Sequence, residues 1–215
     1  TMNSDVIIIG GGLAGWRAAE AAFREGVSVT LVSNGEGNSP HIHALNCPVL
    51  DEDSVEQFVN DTLSSGKYQN DKELVETMCR ESIHLKDEFE FDTNVIRPLG
   101  STVPRCVSIN HSIGAIALAR IKARLEGKVS VETRTVTVDE VLGIRANSPR
   151  TKIIIATGGW CGRYEFSTNP DYLKGDGLKM AEALGGALKD VDESHVQYEP
   201  TVRLEGPQRG VPVIT

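Results

Sequence analysis

Three apolar runs stand out along this chain: Val6 to Ile9 (VIII), Val27 to Val32 (VSVTLV) and Lys152 to Ala156 (KIIIA). They are rich in β-branched residues, as in strands covered on both faces of a parallel sheet. Between the first two, Trp16 to Phe23 (WRAAEAAF) is a run of good helix formers. Further helices are predicted over Asp53–Leu63, with Ser54, Asp53 or Asp51 as N-cap, and over Asp71–Phe89, apolar at Leu74, Val75, Met78, Ile83, Leu85 and Phe89. Asn34 to Pro48 reads as a polar loop and residues 90–111 as irregular with short strands. Ser112 caps a helix over Ile113–Leu125. Val129–Thr135 and Thr137–Ile144 alternate and predict strands of a small antiparallel sheet. Gly175-Asp176-Gly177 opens a helix over Leu178–Leu184, ended by Gly185-Gly186.

The turn after the first run carries the chemistry. Gly10, Gly12 and Gly15 stand at G-x-G-x-x-G spacing, with Gly11, Leu13 and Ala14 between them. One glycine makes the tight turn, the next lets backbone approach a pyrophosphate, and the third lets helix and strand pack closely. The free N–H groups at the helix start then face the anion. Strand, turn, helix and second strand follow within about thirty residues, as a dinucleotide fingerprint requires. The expected fold is therefore α/β: a Rossmann-like, FAD/NAD(P)-binding fold of three layers. A parallel central sheet would have helices on one face and the small antiparallel sheet of residues 129–144 on the other. No repeat or linker interrupts the chain, so residues 1–215 are read as one domain.

Nicotinamide sites want an acid at the end of the second strand to grip two ribose hydroxyls. Here Ser33 stands in that place, followed by Asn34, and Glu36 comes three residues late. A serine cannot grip two hydroxyls as a carboxylate does. The late strand ends in Ala156-Thr157-Gly158-Gly159, which brings backbone to the cofactor a second time.

Composition narrows the setting. A net charge of −8 argues against nucleic acid or an anionic membrane surface as partner. No apolar run approaches the roughly 20 residues of a membrane-spanning helix. Thr1 precedes Met2, read as the native start, and no signal peptide pattern follows. Cys47, Cys79, Cys106 and Cys161 lie far apart without a C-x-x-C or Cys/His cluster. Metal and iron–sulfur ligation within the chain is not expected, and reduced buried thiols in a cytoplasmic protein are.

The second half of the chain carries a resemblance. Ala156-Thr157-Gly158-Gly159, Thr168-Asn169-Pro170, Gly175-Asp176-Gly177 with Met180-Ala181, and Gln197 with Pro200-Thr201 occur in one order. This order resembles the flavoprotein subunits of succinate dehydrogenase and fumarate reductase and the related L-aspartate oxidases. Ser33 fits too, since that family carries serine there, and the resemblance covers most of the chain. It implies FAD as cofactor. Gly10, Gly11, Gly12, Leu13, Ala14 and Gly15 would take the pyrophosphate, with Ser33 and Asn34 near the adenosine ribose. Ala156, Thr157, Gly158 and Gly159 would line the returning strand. Asp176 would contact FAD, cap its helix, or both.

The resemblance also has departures. It places His41 where membrane-complex members carry the histidine joined covalently to flavin, and L-aspartate oxidases lack that histidine. The family's Ala-Gln-Gly-Gly loop beside the flavin falls on Leu45-Asn46-Cys47-Pro48, where Asn46 alone is similar. Glu199 replaces a histidine that holds a dicarboxylate, and Thr215 matches a substrate-binding threonine. The capping domain and proton-transferring arginine of the family would lie beyond Thr215, so an N-terminal fragment, or a short protein relying on another chain, is expected.

The implied activity is hydride transfer between a small dicarboxylate and flavin, with succinate–fumarate chemistry first and L-aspartate oxidation second. A non-catalytic FAD-binding module is the reading from another class. An iron–sulfur electron-transfer subunit is an implied partner, with a place in the cytoplasm or at the inner face of the membrane. No residue is assigned as catalytic. His111 and His195 are isolated in sequence, and Arg105 and Arg163 are possible carboxylate or flavin contacts whose spacing does not decide the matter.

Overall fold

The computed structural model describes residues 4–159 and 169–189, and the backbone of Thr201–Val202 and Val211–Pro212. The elements are β1 (Val6–Ile9), α1 (Leu13–Arg24), β2 (Val29–Ser33), a 3-10 turn (Ser39–His41), β3 (Ala44–Asn46), α2 (Val55–Ser65), α3 (Lys72–Ser82) and α4 (Leu85–Glu88). Then follow β4 (Cys106–Ser108), α5 (Ile113–Leu125), β5 (Ser130–Thr133), α6 (Val138–Asn147), β6 (Lys152–Ile155), α7 (Asp176–Ala183), β7 (Thr201–Val202) and β8 (Val211–Pro212). The chain divides into two compact units, Thr1–Pro40 with Ala117–Thr215, and His41–Ile116.

The first unit holds the parallel sheet, in the order β5-β2-β1-β6. Ile9 pairs with Val32 on one side and Ile155 on the other. The side chains of β1 alternate between two cores, as a strand buried on both faces must. On one face Val6 and Ile8 pack with Trp16 and Ala19 of α1 and with Leu118, Ile121 and Leu125 of α5. On the other, Ile7 and Ile9 pack with Val32, Val136, Val141 of α6 and Met180 of α7. Helices therefore cover both faces.

That corrects the expectation for residues 129–144. Ser130–Thr133 joins the main sheet as a parallel edge strand, with Leu31 opposite Val131. Val138–Asn147 is a helix. Thr137 is its N-cap, and its hydroxyl accepts a hydrogen bond from Glu140 N at 3.2 Å. Thr-x-x-Glu is the capping-box pattern, and it outweighs the local alternation. Val138, Val141 and Ile144 then share one helical face on the core. Small antiparallel pairs exist elsewhere, β3 with β4 in the second unit and β7 with β8.

The second unit has a small apolar core of Phe58, Val75 and Cys79, between α2 and α3. Ser54 is the N-cap of α2 and Asp71 that of α3. The helix expected over Asp71–Phe89 breaks after Ser82. The Cys47 thiol donates to the Ser82 carbonyl at 3.2 Å, and Lys86 N turns instead to Ile83 O.

A buried ion cluster completes this unit. Arg105 is fully buried. Its Nε and Nη2 donate to the two Asp53 oxygens at 2.9 and 2.8 Å, and Nη1 donates to Asp61 Oδ2 at 2.8 Å. The guanidinium carbon lies 4.8 Å from the Phe58 ring centre. Burial pushes the Asp61 carboxyl up. Hydrogen bonds from Thr102 N, the Thr102 hydroxyl and Arg105 outweigh it, and the group titrates below its ordinary value.

Removing one partner from such a cluster leaves charge without compensation. Arg105→Ala should therefore lose about 3–5 kcal/mol of stability in denaturant unfolding. Because the folded pKa of Asp61 is depressed, its stabilisation is complete above its ordinary value of 3.8 and is lost as pH falls through the folded value. Acid titration followed by circular dichroism should show this loss in the wild type and not in Asp61→Asn, which starts less stable.

Candidate functional site

The site lies at the carboxyl ends of β1, β2 and β6. Gly10 N donates to Val32 O at 2.9 Å and Ala156 N to Ile9 O at 2.8 Å, tying the three strand ends together. Gly10 has φ +124°, which an L side chain rarely adopts, and its Cβ would fall on the Ala156 carbonyl oxygen. A Cβ on Gly15 would fall on the Gly10 carbonyl oxygen. One on Gly11 would lie 2.7 Å from Gly35 O and from Ser33 Oγ, and one on Gly12 would lie 2.9 Å from Ser39 Oγ. Backbone oxygens thus close Gly10, Gly11 and Gly15 to any side chain, while at Gly12 the Ser39 hydroxyl is what a Cβ would meet.

The start of α1 is open to an anion. Its N-cap is Gly12, which has no side chain to offer, and its first turn contains no acid. The positive end of the helix dipole is left without a carboxylate. Leu13 N donates to Ser39 Oγ at 2.8 Å, which leaves the Ser39 hydroxyl proton able to donate outward. A turn of glycines at a helix start with no acid in its first turn fits a dinucleotide pyrophosphate. Sequence reasoning missed Ser39, and only its distance from the glycine turn reveals it.

Ser33 closes its own loop. Its hydroxyl donates to Gly35 O at 2.5 Å and accepts from Gly35 N at 3.1 Å. Asn34 donates to Thr135 Oγ1 at 3.4 Å. Glu36 is held in an ion pair with Lys122 of α5.

The returning strand meets a second helix. A Cβ on Gly177 would overlap Thr157 Oγ1 and lie 2.8 Å from Ile155 Cγ2, so the start of α7 rests against the end of β6. Gly175, at φ 71°, is the N-cap of α7. Asp176 is thus the first helical residue, not the cap, and pairs with Lys179 at 3.4 Å. Gly158 has φ +79°, and a Cβ there or on Gly159 would meet open space.

In the second unit, His41 is the exposed last residue of the 3-10 turn, and Asn46 is exposed on β3 opposite Cys106. Cys47 is buried, and burial pushes its thiol up to about 11, the state of an inert thiol. His43 Nδ1 bonds the His111 carbonyl oxygen at 2.8 Å. Arg105 is committed to Asp53 and Asp61, which removes it from the flavin or carboxylate contacts considered from sequence. Arg163, His195, Glu199 and Thr215 lie outside the described residues.

The FAD binding domain family matches residues 5–214. The chain belongs to this family. An L-aspartate oxidase of Pyrococcus abyssi is 30% identical over 93% of the chain and 46% of its own length. A fumarate reductase flavoprotein subunit of Haemophilus influenzae is 26% identical over 94% of the chain and 39% of its own length. The solved open conformation of a flavocytochrome c3 fumarate reductase superposes with a TM-score of 0.74, at 22% identity, over 93% of the chain and 43% of that structure. The chain spans less than half the length of these relatives. Membership makes FAD the cofactor. Among the described residues no helix is long and apolar enough to cross a membrane.

Gly158→Ala carries only the left-handed backbone cost, about 1–2 kcal/mol. Gly10→Ala joins a positive φ to overlap with a carbonyl oxygen, Gly15→Ala meets such an overlap alone, and each should lose at least about 1–3 kcal/mol. Urea unfolding reads the stabilities, and flavin absorbance of the purified variants should show FAD lost by Gly10→Ala and Gly15→Ala.

Proposed function

We propose that this chain is the FAD-holding part of an oxidoreductase that moves hydride between a small dicarboxylate and flavin, of the succinate–fumarate kind. The observation that carries the reading is the glycine cradle at the acid-free start of α1, in a chain whose family binds FAD. In this reading the N–H groups of Ala14 and Gly15 and the Ser39 hydroxyl donate to the pyrophosphate, with Gly10, Gly11 and Gly12 giving it room. Ser33 and Asn34 shape the adenosine end. Ala156 to Gly159 line the returning strand, and Asp176 contacts the cofactor at the start of α7. FAD, when bound, takes up or releases the hydride, and the protein supplies placement and charge.

Glu199 and Thr215 are assigned to the substrate, and His41 to the flavin attachment point. An iron–sulfur subunit would exchange electrons with the flavin and hold the protein at the inner, cytoplasmic face of a membrane. L-Aspartate oxidation is the second reading, favoured by 30% identity to the Pyrococcus enzyme against 26% to the Haemophilus subunit. The third is a FAD-binding module without activity of its own.

The test is anaerobic flavin spectroscopy on the FAD-loaded 215-residue chain, and on the longer product if the encoded sequence runs past Thr215. Succinate should bleach the oxidised flavin and fumarate should restore it. Bleaching by L-aspartate and not succinate selects the second reading, and no response from either form of the protein selects the third. Acid-denatured holoprotein should weigh one FAD more than the apoprotein. An unmodified mass removes His41 as attachment point.

A further inference from the structure

The loop from Asn34 to Asn38 joins the end of β2 to the Ser39 turn, and it is held from a distant part of the chain. Tyr172 OH accepts a hydrogen bond from Gly37 N at 3.0 Å across 135 positions of sequence. A Cβ on Gly35 would lie 2.6–2.8 Å from Tyr172 Cζ, OH and Cε2, so the ring lies directly on the Gly35 backbone. The Asn38 and Asn169 side chains are hydrogen bonded to each other. A turn closed by Leu173 N donating to Pro170 O at 3.0 Å shapes this holding segment.

The held loop touches the cradle at three places. Gly35 O and Ser33 Oγ face Gly11, Glu36 O lies 3.4 Å from where a Cβ of Gly12 would be, and Ser39 Oγ accepts from Leu13 N. A few residues beyond Tyr172, Gly177 rests on Thr157 at the end of β6. One stretch of chain, residues 169–177, therefore braces the loop after β2 and the loop after β6 together.

We propose that Tyr172 is a positioning residue for the adenosine–pyrophosphate half of FAD. It acts by fixing the backbone of Gly35 to Asn38, and through it the Ser39 hydroxyl at the start of α1. The inference rests on the FAD placement proposed above. The loop has no strand or helix of its own, and Gly35 and Gly37 give it wide backbone freedom. Without the Tyr172 contacts that freedom must be lost when the ligand binds, which weakens binding. The contact needs no catalytic group and predicts nothing about the substrate.

The test measures FAD affinity of apoprotein by quenching of flavin fluorescence and ADP affinity by competition, in wild type, Tyr172→Phe and Tyr172→Ala. Thermal unfolding of each apoprotein runs alongside. Tyr172→Phe should weaken FAD and ADP alike by about 2- to 10-fold, the net effect of one hydrogen bond, with apoprotein melting unchanged. Tyr172→Ala should weaken both further. Weakening in Tyr172→Ala alone assigns the effect to the ring on Gly35 and upholds the positioning role. Unchanged affinity in both variants overturns the proposal, as does a fall in apoprotein stability that accounts for the whole loss. A wild type that binds ADP and FAD nowhere overturns the placement itself, a result distinct from variants that bind as well as wild type.

Discussion

A backbone carbonyl occupying the place of a side chain, Ala156 O against Gly10, is the contact on which the rest of the molecule's first unit depends. The apolar runs of β1, β2 and β6 can satisfy both faces of the sheet in more than one register. A shift by two residues keeps every side chain on its own face. What distinguishes the observed register is the strand ends. With Ile9 opposite both Val32 and Ile155, Gly10 comes against Ala156 and Gly15 comes against Gly10. Each approach is closed to any residue with a Cβ. The glycines thus set where the strands stop relative to one another, and with that where the helix start and the returning loop meet.

The same ends solve an electrostatic problem. The chain carries a net charge of −8, yet the cradle is suited to an anion. It does this by keeping carboxylates out of the first turn of α1 and by engaging Glu36, whose backbone borders Gly12, with Lys122. Glu20, further along α1, is buried and paired with arginines that include Arg124 of α5. Burial pushes its carboxyl up and these arginines pull it below its ordinary value. Both Glu36 and Glu20 are thereby compensated, and the first turn of α1 itself carries no acid.

The parts of this arrangement legible in sequence are those set by neighbours along the chain. Consecutive β-branched residues gave β1 and β6, and G-x-G-x-x-G gave the turn, because both depend on local sterics and burial. Residues 137–144 misled for a related reason. Val136, Val138, Leu142 and Ile144 fit alternation nearly as well as Val138, Val141 and Ile144 fit a helical face, and only Thr137 with Glu140 marks a helix start. The partner of β5 was misjudged because sheet membership is decided by tertiary pairing with β2. Ser39 and Tyr172 carry no motif at all. Their roles arise from contacts across 26 and 135 positions of sequence, which no local pattern encodes.

The second unit shows how a small core can be given a definite shape. Phe58, Val75 and Cys79 supply only a few kcal/mol each, by the usual measure of about 1.5–3 kcal/mol per large buried apolar side chain. Arg105 adds direction more than energy, since a buried ion pair gains little net free energy once desolvation is counted. Its side chain fixes Asp53, just before α2, and Asp61 within α2. Its backbone does a second job: Arg105 O accepts from Cys47 N at 2.8 Å, and Arg105 N donates to Ile96 O at 3.1 Å. One residue thereby connects α2 to the β3–β4 ladder that carries Asn46. A hydrophobic replacement could fill the volume and keep the backbone bonds, but it has no fork with which to hold Asp53 and Asp61 at once. The charge cluster therefore ties α2 to the same residue whose backbone carbonyl holds Cys47, next to Asn46 on β3.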